Sequence, residues 1–187
     1  MVNTYTQIYI QVVFAVQGRQ CLIQPNHKEE IYKYITGIVT NEGQKLLQIN
    51  GVSDHVHLLI GMKPNIALSD LVRDIKAGSS KFINEQRWIR GKFNWQEGFG
   101  AFSYGHSQLG QIIQYIRDQE IHHQKKSFKH EYLGLLRKFD IAFADKYVFD
   151  FVEDQKTESG TCRSYGASGK SILQCYKHAA PLELGNY

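Results

Sequence analysis

Four short segments combine apolar and polar residues in the pattern of β-strands, in which successive side chains point to opposite faces. The first is TQIYIQVVFAV near the N-terminus, and QKLLQIN and DHVHLLIGM follow later as a pair. Asn50-Gly51 lies between those two, and Asn-Gly is a preferred sequence for a tight hairpin turn. The fourth segment, GAFSYG, lies in a stretch rich in glycine and aromatic residues. The chain is therefore predicted to supply four strands, two of them joined as a hairpin.

Apolar residues recur at helical spacing in the segments between these strands. In QPNHKEEIYKYITGIVTNEG the residues Ile31, Ile35 and Ile38 share one face, and Gly43 is a suitable end for the helix. The segment ALSDLVRDIKAGSSKFINEQR repeats the pattern. Two helices are therefore predicted, one before the hairpin and one before the fourth strand.

Two more helices are predicted after the fourth strand. HSQLGQIIQYIRDQEIHHQKK has the length of one long helix, and Ser107 is placed to cap its N-terminus. SFKHEYLGLLRKFD predicts a shorter helix capped by Ser127, with Glu131 close to the capping-box position. The long helix thus begins directly after the sheet is complete.

The order of these elements, β-α-β-β-α-β followed by helices, is typical of an α+β fold. We expect a ferredoxin-like or RRM-like antiparallel sheet with helices packed on one face and a long helix after the last strand. From about Glu153 the sequence becomes polar, rich in glycine and serine, and aperiodic. Residues 1–150 are therefore predicted to form one domain, and residues 151–187 a flexible C-terminal tail.

Composition and charge narrow the functional classes only slightly. The chain has 187 residues, of which 42% are hydrophobic and 21% are charged, and its net charge is +4. No apolar stretch approaches the roughly 20 residues that span a bilayer, and the N-terminus lacks the basic start of a signal peptide. We therefore expect a cytoplasmic protein with no membrane partner. The cations in HHQKKSFKH are a weak indication of a polyanionic partner.

Two histidines lie one residue apart in the third predicted strand. Because side chains alternate along a strand, His55 and His57 point to one face, and Val56 and Leu58 to the other. Two neighbouring imidazoles suit a metal ion better than they suit packing. The alternative is a histidine pair on the wet face of a half-exposed sheet.

A tyrosine and a glutamine four residues apart can extend that site. Tyr115 and Gln119 share one face of the predicted third helix, so a phenol and a carboxamide oxygen point into the same volume. Gln119 can complete a metal site with the two histidines while Tyr115 stands beside the metal. Mixed nitrogen and oxygen ligands leave positions open, as Mg²⁺ or Mn²⁺ requires. The alternative for Tyr115 is an aromatic residue packed on the sheet.

The segments HVHLLI, WQEGFGAFSYGHSQ and YIRDQEIHHQKKSFKHEY resemble the single-tyrosine HUH transposases, the transposase A type of the insertion-sequence 200/605 family. The resemblance runs from about Tyr5 to Tyr147. His55 and His57 match the two histidines of the family motif. The catalytic nucleophile maps to Tyr115, and the glutamine that completes the metal site maps to Gln119.

The resemblance implies an enzyme that cuts and rejoins single-stranded DNA at transposon ends. In this family the tyrosine attacks a phosphodiester, forms a 5′-phosphotyrosine and releases a 3′-hydroxyl, with Mg²⁺ or Mn²⁺ at the metal site. The resemblance also implies binding of DNA hairpins, a homodimer in which the tyrosine helix lies in cis or in trans, and a bacterial, nucleoid-associated location.

Basic residues near these motifs are candidate contacts to DNA phosphates. The candidates are Arg73, Lys76, Lys125, Lys126 and Lys129. His122 and His123 follow Gln119 closely and are predicted to lie near a phosphate rather than to bind the metal. The aromatic residues Trp95, Phe99 and Tyr104 are candidate stacking surfaces for bases. For each of these residues the alternative is an ordinary place on a solvated helix face or in the core.

Two alternative functions remain open from the sequence. One is a related HUH tyrosine nuclease that acts on repeated extragenic palindromes and uses the same chemistry without an insertion sequence. The other is a non-catalytic nucleic-acid-binding module on the same ferredoxin-like sheet. Such modules place aromatic residues on their central strands, whereas this chain has His55 and His57 there.

Overall fold

The computed structural model describes residues 5–143, in which strands and helices follow the predicted order. The strands are β1 (Ile8–Ala15), β2 (Lys45–Val52), β3 (His55–Met62) and β4 (Gly100–Tyr104). The helices are α1 (Pro25–Asn41), α2 (Leu68–Gln86), α3 (Leu109–Arg117), α4 (Gln119–His123) and α5 (Phe128–Lys138). All four predicted strands are confirmed.

The four strands form one antiparallel sheet in the order β2-β3-β1-β4. With α1 and α2 as the crossovers, this is the predicted ferredoxin-like α+β arrangement. It places β3, which carries the histidine pair, in the interior of the sheet between β2 and β1. The histidines are therefore held by backbone pairing on both sides.

The β2–β3 hairpin turns later than predicted. Asn50 pairs with His57 and Val52 with His55, so the turn falls at Ser53-Asp54 and the Asn50-Gly51 prediction is wrong. The Asn50 side chain instead donates to the Arg117 carbonyl at the end of α3, at 2.6 Å. Gly51 is needed in the strand, because a Cβ there would lie 2.2 Å from the backbone carbonyl oxygen of His55.

The sheet is covered by helices on both faces, whereas the sequence predicted helices on one. On the first face, alternate residues of β1 and β3 such as Phe14, Val56 and Leu58 pack against α1 and α2. On the second face, Val13 and Leu59 pack against α3 and α5. The second layer arises because α3 and α5 each carry an apolar stripe that folds back onto the sheet. His55 and His57 point into this second layer.

The helices after β4 differ from the prediction in two ways. The predicted single long helix is divided into α3 and α4 at Asp118, whose backbone leaves the helical region with φ −89° and ψ 16°. Gln114 donates to the Asp118 carboxylate at 2.7 Å at this break. Ser107 is not the helix cap: α3 begins after a short 3₁₀ turn, in which Gln108 accepts a hydrogen bond from the Gly105 backbone.

The start of α5 confirms one prediction and corrects another. Ser127 caps the helix, its hydroxyl accepting from the His130 backbone N–H. Glu131 makes no capping contact and is buried instead among side chains of the second layer. The predicted domain boundary at residue 150 and the tail 151–187 lie outside the described residues. Within residues 5–143, no helix has both the length and the apolar character to cross a bilayer.

Candidate metal centre and tyrosine site

The two histidines of β3 are fully buried and present the same ring nitrogen to one space. His55 and His57 are both 0% exposed. Each uses Nδ1 for a contact with a neighbouring side chain: His55 with Asp54 at 2.7 Å, and His57 with Gln11 at 2.9 Å. Neither Nε2 has a hydrogen-bond partner among the described residues. Two buried, unpaired imidazole nitrogens are what a metal site requires of its ligands.

Asp54 fixes the orientation of His55. Its carboxylate also accepts from Arg19 Nη2 at 2.5 Å, so it is held from two sides. Burial alone would raise the pKa of Asp54, but the contacts with His55 and Arg19 hold it below its usual range. Burial lowers the pKa of His55 to about 4 despite the Asp54 contact. His55 is therefore neutral at pH 7, as a metal ligand must be.

A buried amide and a phenol fix the orientation of His57. Gln11 lies on β1 across from Phe102 and is 0% exposed. Its amide nitrogen lies 2.9 Å from His57 Nδ1, and its oxygen accepts from the Tyr104 hydroxyl at 2.8 Å. Burial raises the pKa of Tyr104 to about 12, so this phenol remains a donor at neutral pH. The contacts from Tyr104 through Gln11 to His57 thus fix the plane of the His57 ring.

Glu131 is the residue of the site that sequence reasoning missed. Its side chain is 2% exposed and lies at the centre of the polar cluster. Its Oε1 accepts from the Tyr115 hydroxyl and from Gln119 Nε2, the latter at 2.9 Å. Burial alone would raise the pKa of Glu131, but the His57 and His123 imidazoles hold it below its usual range. Glu131 is therefore an ionised carboxylate.

One sequence signal pointed to Glu131. Phe128, Tyr132 and Leu135 are spaced as the apolar stripe of a helix, and position 131 belongs to that stripe. An acidic residue there is buried by the packing of its neighbours. A buried carboxylate requires a charged or hydrogen-bonding partner. The place of Glu131 in the apolar stripe was therefore a better indication of a functional role than its closeness to the capping-box position.

Four side chains bring possible metal-binding atoms within 4.8 Å of one another: His55, His57, His123 and Glu131. The other oxygen of Glu131, Oε2, lies 3.8 Å from His55 Nε2, 3.6 Å from His57 Nε2 and 2.8 Å from His123 Nε2. Oε2 meets hydrogen-bond geometry with no group in the described part of the chain. The cluster thus combines a negative charge with two imidazole nitrogens, those of His55 and His57, that have no hydrogen-bond partner in the described residues.

Tyr115 stands at the edge of this cluster. Its hydroxyl donates to Glu131, and its ring packs edge-on against His57 and His122, with ring centroids 6.0 and 5.4 Å away. Burial and the charge of Glu131 raise the pKa of Tyr115 well above its usual range. The phenol is therefore protonated in the state described.

Gln119 lies in the same cluster and is 0% exposed. Its amide nitrogen donates to Glu131, and its oxygen is 3.1 Å from His123 Nε2. His122 is half-buried, with Nε2 3.7 Å from Glu131 Oε1. The structure thus brings Tyr115, Gln119 and the two β3 histidines together within one chain, around a carboxylate that had no assigned place there.

The candidate DNA-binding residues fall into two groups. Lys125, Lys126 and Lys129 are exposed between α4 and the first turn of α5, next to the cluster. Arg73 and Lys76 lie on α2, in the layer on the other face of the sheet. Arg73 pairs there with Asp70 and Asp74, and Lys76 donates to the carbonyls of Gln96 and Gly98.

The candidate stacking residues are mostly core residues. Trp95 is 7% exposed and packs edge-on against Phe14 and Phe93. Tyr104 is also 7% exposed, and its hydroxyl donates to the buried Gln11 side chain. Phe99 is partly buried and packed against the core of the α1–α2 layer. Neither Trp95 nor Tyr104 offers an open ring face to a base, so the expectation that they form a stacking surface is wrong.

The sheet, the paired histidines and the tyrosine helix define a domain of the HUH type. Residues 4–119, more than half of the chain, match the family described as transposase IS200-like. The chain therefore belongs to the IS200-like transposase family, and the resemblance inferred from its sequence is confirmed. The matched segment includes the histidine pair, Tyr115 and Gln119, and it ends before Glu131.

Two solved structures share the fold. A protein of Deinococcus radiodurans R1, described as a transposase, is 21% identical, with a TM-score of 0.51, and the match covers 64% of this chain and 95% of that one. A REP-associated tyrosine transposase, solved bound to a REP hairpin, is 14% identical, with a TM-score of 0.51, and the match covers 85% of this chain and 98% of that one. No curated protein matches this sequence significantly.

Proposed function

We propose that this protein cuts and rejoins single-stranded DNA at transposon ends, through a covalent 5′-phosphotyrosine at Tyr115. The cofactor is Mg²⁺ or Mn²⁺, held by His55, His57 and Gln119. One observation carries the proposal: in a single chain, two buried imidazole nitrogens without hydrogen-bond partners in the described residues face the same carboxylate, Glu131, that accepts from the Tyr115 hydroxyl. Membership of the IS200-like transposase family supports the reaction class.

The residues present suit a divalent cation. A buried polar atom without a partner costs roughly 1–3 kcal/mol, and this cluster contains several. His55 would hold the ion through Nε2, because its Nδ1 faces the Asp54 carboxylate, and Gln119 would supply its amide oxygen. His57 would bind through Nε2 in the tautomer protonated at Nδ1, with the Gln11 amide turned so that its oxygen faces that nitrogen. When bound, the cation would act as a Lewis acid on the scissile phosphate.

Tyr115 would carry the covalent step. Its hydroxyl oxygen attacks phosphorus, the new phosphotyrosine O–P bond forms, and the bond from phosphorus to the 3′-oxygen breaks. The phenol gives up its proton during attack, and the leaving 3′-oxygen takes up a proton and departs as a hydroxyl. Because one phosphodiester replaces another, the strand can be rejoined without ATP. The raised pKa of Tyr115 means that the free protein holds this nucleophile in its unreactive form.

DNA binding would use the lysines beside the cluster. Lys125, Lys126 and Lys129 are exposed next to the α4 segment that carries Gln119, where they can contact phosphates flanking the cut site. We include hairpin DNA among the ligands, and the solved relative bound to a REP hairpin supports this choice. His122 and His123 lie close enough to Glu131 to contact a phosphate that approaches Tyr115.

A homodimer remains part of the proposal as an expectation from the family. Tyr115 packs against His57 of its own chain, as a cis arrangement requires. A trans arrangement would require the tyrosine helix to leave this contact.

A second candidate function is action on repeated extragenic palindromes. One solved structure, matched over 85% of this chain, is a REP-associated tyrosine transposase bound to a REP hairpin, and this likeness favours the second candidate. Both functions predict the same covalent chemistry at Tyr115. They differ in the DNA that is cut, so a comparison of palindromic and transposon-end hairpins separates them.

The test is the formation of a protein–DNA adduct. Labelled single-stranded hairpin DNA is incubated with the full chain and Mn²⁺, and denaturing electrophoresis separates the covalent product. We expect an adduct with the wild type and with Tyr34→Phe, a matched control on α1 in the opposite layer, and none with Tyr115→Phe. An adduct that persists in Tyr115→Phe would remove Tyr115 from the mechanism.

A further inference from the structure

Glu131 presents its two carboxylate oxygens to different parts of the site. Oε1 accepts from the Tyr115 hydroxyl and the Gln119 amide, whereas Oε2 faces the imidazole nitrogens and has no hydrogen-bond partner in the described structure. We propose that Glu131 is a ligand of the metal through Oε2 and positions the Tyr115 hydroxyl through Oε1. This inference rests on the proposed function, and it adds an anionic ligand to the predicted set of two histidines and a glutamine.

The distances fit a shared cation. Ligand atoms bound at about 2.1 Å to one metal lie about 3.0 Å apart in octahedral cis positions and about 3.4 Å apart in tetrahedral ones. Glu131 Oε2 is 3.6 Å from His57 Nε2 and 3.8 Å from His55 Nε2. A movement of about 0.2–0.4 Å would close the tetrahedral geometry and one of about 0.6–0.8 Å the octahedral geometry. Both are within the reach of a glutamate side chain.

An ordinary ion pair between Glu131 and His55 does not account for the arrangement. His55 Nδ1 contacts the Asp54 carboxylate, so this nitrogen carries the proton. With its proton on Nδ1, the His55 ring presents the lone pair of Nε2 to Glu131 Oε2, 3.8 Å away. Two lone pairs that face each other in a buried site repel unless a cation lies between them. A metal ion removes that repulsion.

His123 is placed to join the same set. Its Nδ1 lies 3.0 Å from the Lys126 carbonyl oxygen, and its Nε2 lies 2.8 Å from Glu131 Oε2. Unlike the Nε2 of His55, this nitrogen also lies 3.1 Å from the Gln119 amide oxygen. Within the described residues, the Glu131 carboxylate thus contacts Tyr115, Gln119 and His123, and it faces the ring nitrogens of His55 and His57.

A carboxylate ligand would affect both which metal ion the site prefers and where the Tyr115 hydroxyl lies. Imidazole nitrogens with one carboxylate bind Mn²⁺ more strongly than Mg²⁺, because nitrogen ligands favour the transition metal. The hydrogen bond from Tyr115 to the other oxygen places the phenol next to the metal before DNA arrives. Glu131 thereby couples metal binding to the position of the nucleophile.

The test measures Mn²⁺ affinity in the absence of DNA. Electron paramagnetic resonance of free Mn²⁺ gives the dissociation constant for the full-length wild type, Glu131→Gln, His57→Ala and Glu120→Gln. Glu120 is the matched control, since it lies on α4 and pairs with Lys28 rather than with the cluster. We expect Glu131→Gln to weaken binding by about 10-fold or more, and Glu120→Gln to change it by less than about 2-fold.

The outcomes separate this inference from the function on which it rests. Unchanged affinity in Glu131→Gln together with lost binding in His57→Ala would overturn the Glu131 assignment and leave the histidine site standing. Unchanged affinity in His57→Ala would overturn the metal site as a whole. A thermal-shift measurement on the same variants checks folding, and the Mn²⁺-induced rise in Tm should be smaller in Glu131→Gln than in Glu120→Gln.

Discussion

The two faces of β3 are equally buried and differ completely in chemistry. Val56 and Leu58 point into the α1–α2 layer and are surrounded by apolar side chains. His55 and His57, which alternate with them on the same strand, point into the α3–α5 layer towards a buried carboxylate. All four residues are 0% exposed, so burial alone does not distinguish core from site.

What distinguishes the two faces of β3 is whether their side chains carry buried polar atoms that packing leaves without a partner. Val56 and Leu58 have no polar side-chain atom, and they gain stability from excluded water and close contacts. His55 and His57 each keep a buried ring nitrogen with no hydrogen-bond partner in residues 5–143, and both face an oxygen of Glu131 that also has none. These atoms are the basis of the metal site proposed above.

The largest effects are expected from neighbouring substitutions on the two faces. Leu58→Ala should lower the free energy of unfolding by about 2–5 kcal/mol, because it leaves a cavity in the core. It should leave the Mn²⁺-dependent gain in stability intact, about 2.7 kcal/mol at a metal concentration of 100 times Kd. His57→Ala should abolish that gain. Urea unfolding with and without Mn²⁺ measures both quantities.

The contrast between the two faces of β3 would be contradicted if Leu58→Ala and His57→Ala had the same effect on the Mn²⁺-dependent gain in stability. Loss of the Mn²⁺-dependent gain in Leu58→Ala, with the folded state preserved, would show that the metal response does not belong to the histidine face. Retention of the Mn²⁺-dependent gain in His57→Ala would likewise show that the metal response does not depend on the histidine face.

A smaller effect is expected from pH. Burial lowers the pKa of His55 in the folded state to about 4, so between pH 6.5 and 4 the unfolded chain binds a proton that the folded chain does not. Stability of the metal-free protein should therefore fall with falling pH in this window, by about 1.4 kcal/mol per pH unit from this one group. The half-buried His122, whose pKa is also lowered by desolvation, adds to the slope in the same direction.

Urea unfolding in EDTA at pH 7, 6 and 5 gives this slope. His55→Gln keeps an amide donor towards Asp54 but cannot titrate, so its stability should decline less steeply than that of the wild type. Parallel pH profiles for the two proteins would contradict the assignment of the slope to His55.

The smallest effects are expected at the surface proposed to bind DNA. Lys126→Ala should weaken binding of single-stranded hairpin DNA and reduce the slope of log affinity against log salt by about 0.7, as for one lost phosphate contact. Arg73 lies in the opposite layer and is already paired with two acidic side chains, so Arg73→Ala should change the slope less. Fluorescence anisotropy over a range of salt concentrations measures both. Equal losses would show that α2 also contacts the DNA.

Much of the fold was predictable because its signals are local. Alternation of side chains placed His55 and His57 opposite Val56 and Leu58, and the order of strands and helices predicted the ferredoxin-like sheet. The hairpin turn was misplaced because a tertiary contact overrode a local preference. Asn50 is held by the end of α3, and the ladder therefore continues past it.

The site was predictable only in part, because some of its members are joined by tertiary packing alone. Tyr115 and Gln119 could be linked by helical spacing, and the histidines by strand spacing. Gln11 and Glu131 come from β1 and α5, and no sequence spacing relates them to β3. The break at Asp118 was likewise invisible in the sequence, since it depends on side-chain contacts at the junction of α3 and α4.

The identity of the residue that becomes attached to DNA decides whether Tyr115 is the nucleophile. The covalent product is digested with protease and nuclease, and mass spectrometry locates the residual nucleotide. We predict a phosphotyrosine linkage to the 5′ end of the cut strand, on the peptide that contains Tyr115. A linkage at Tyr104 or Tyr132, or DNA cut with no protein attached to its 5′ end, would contradict it.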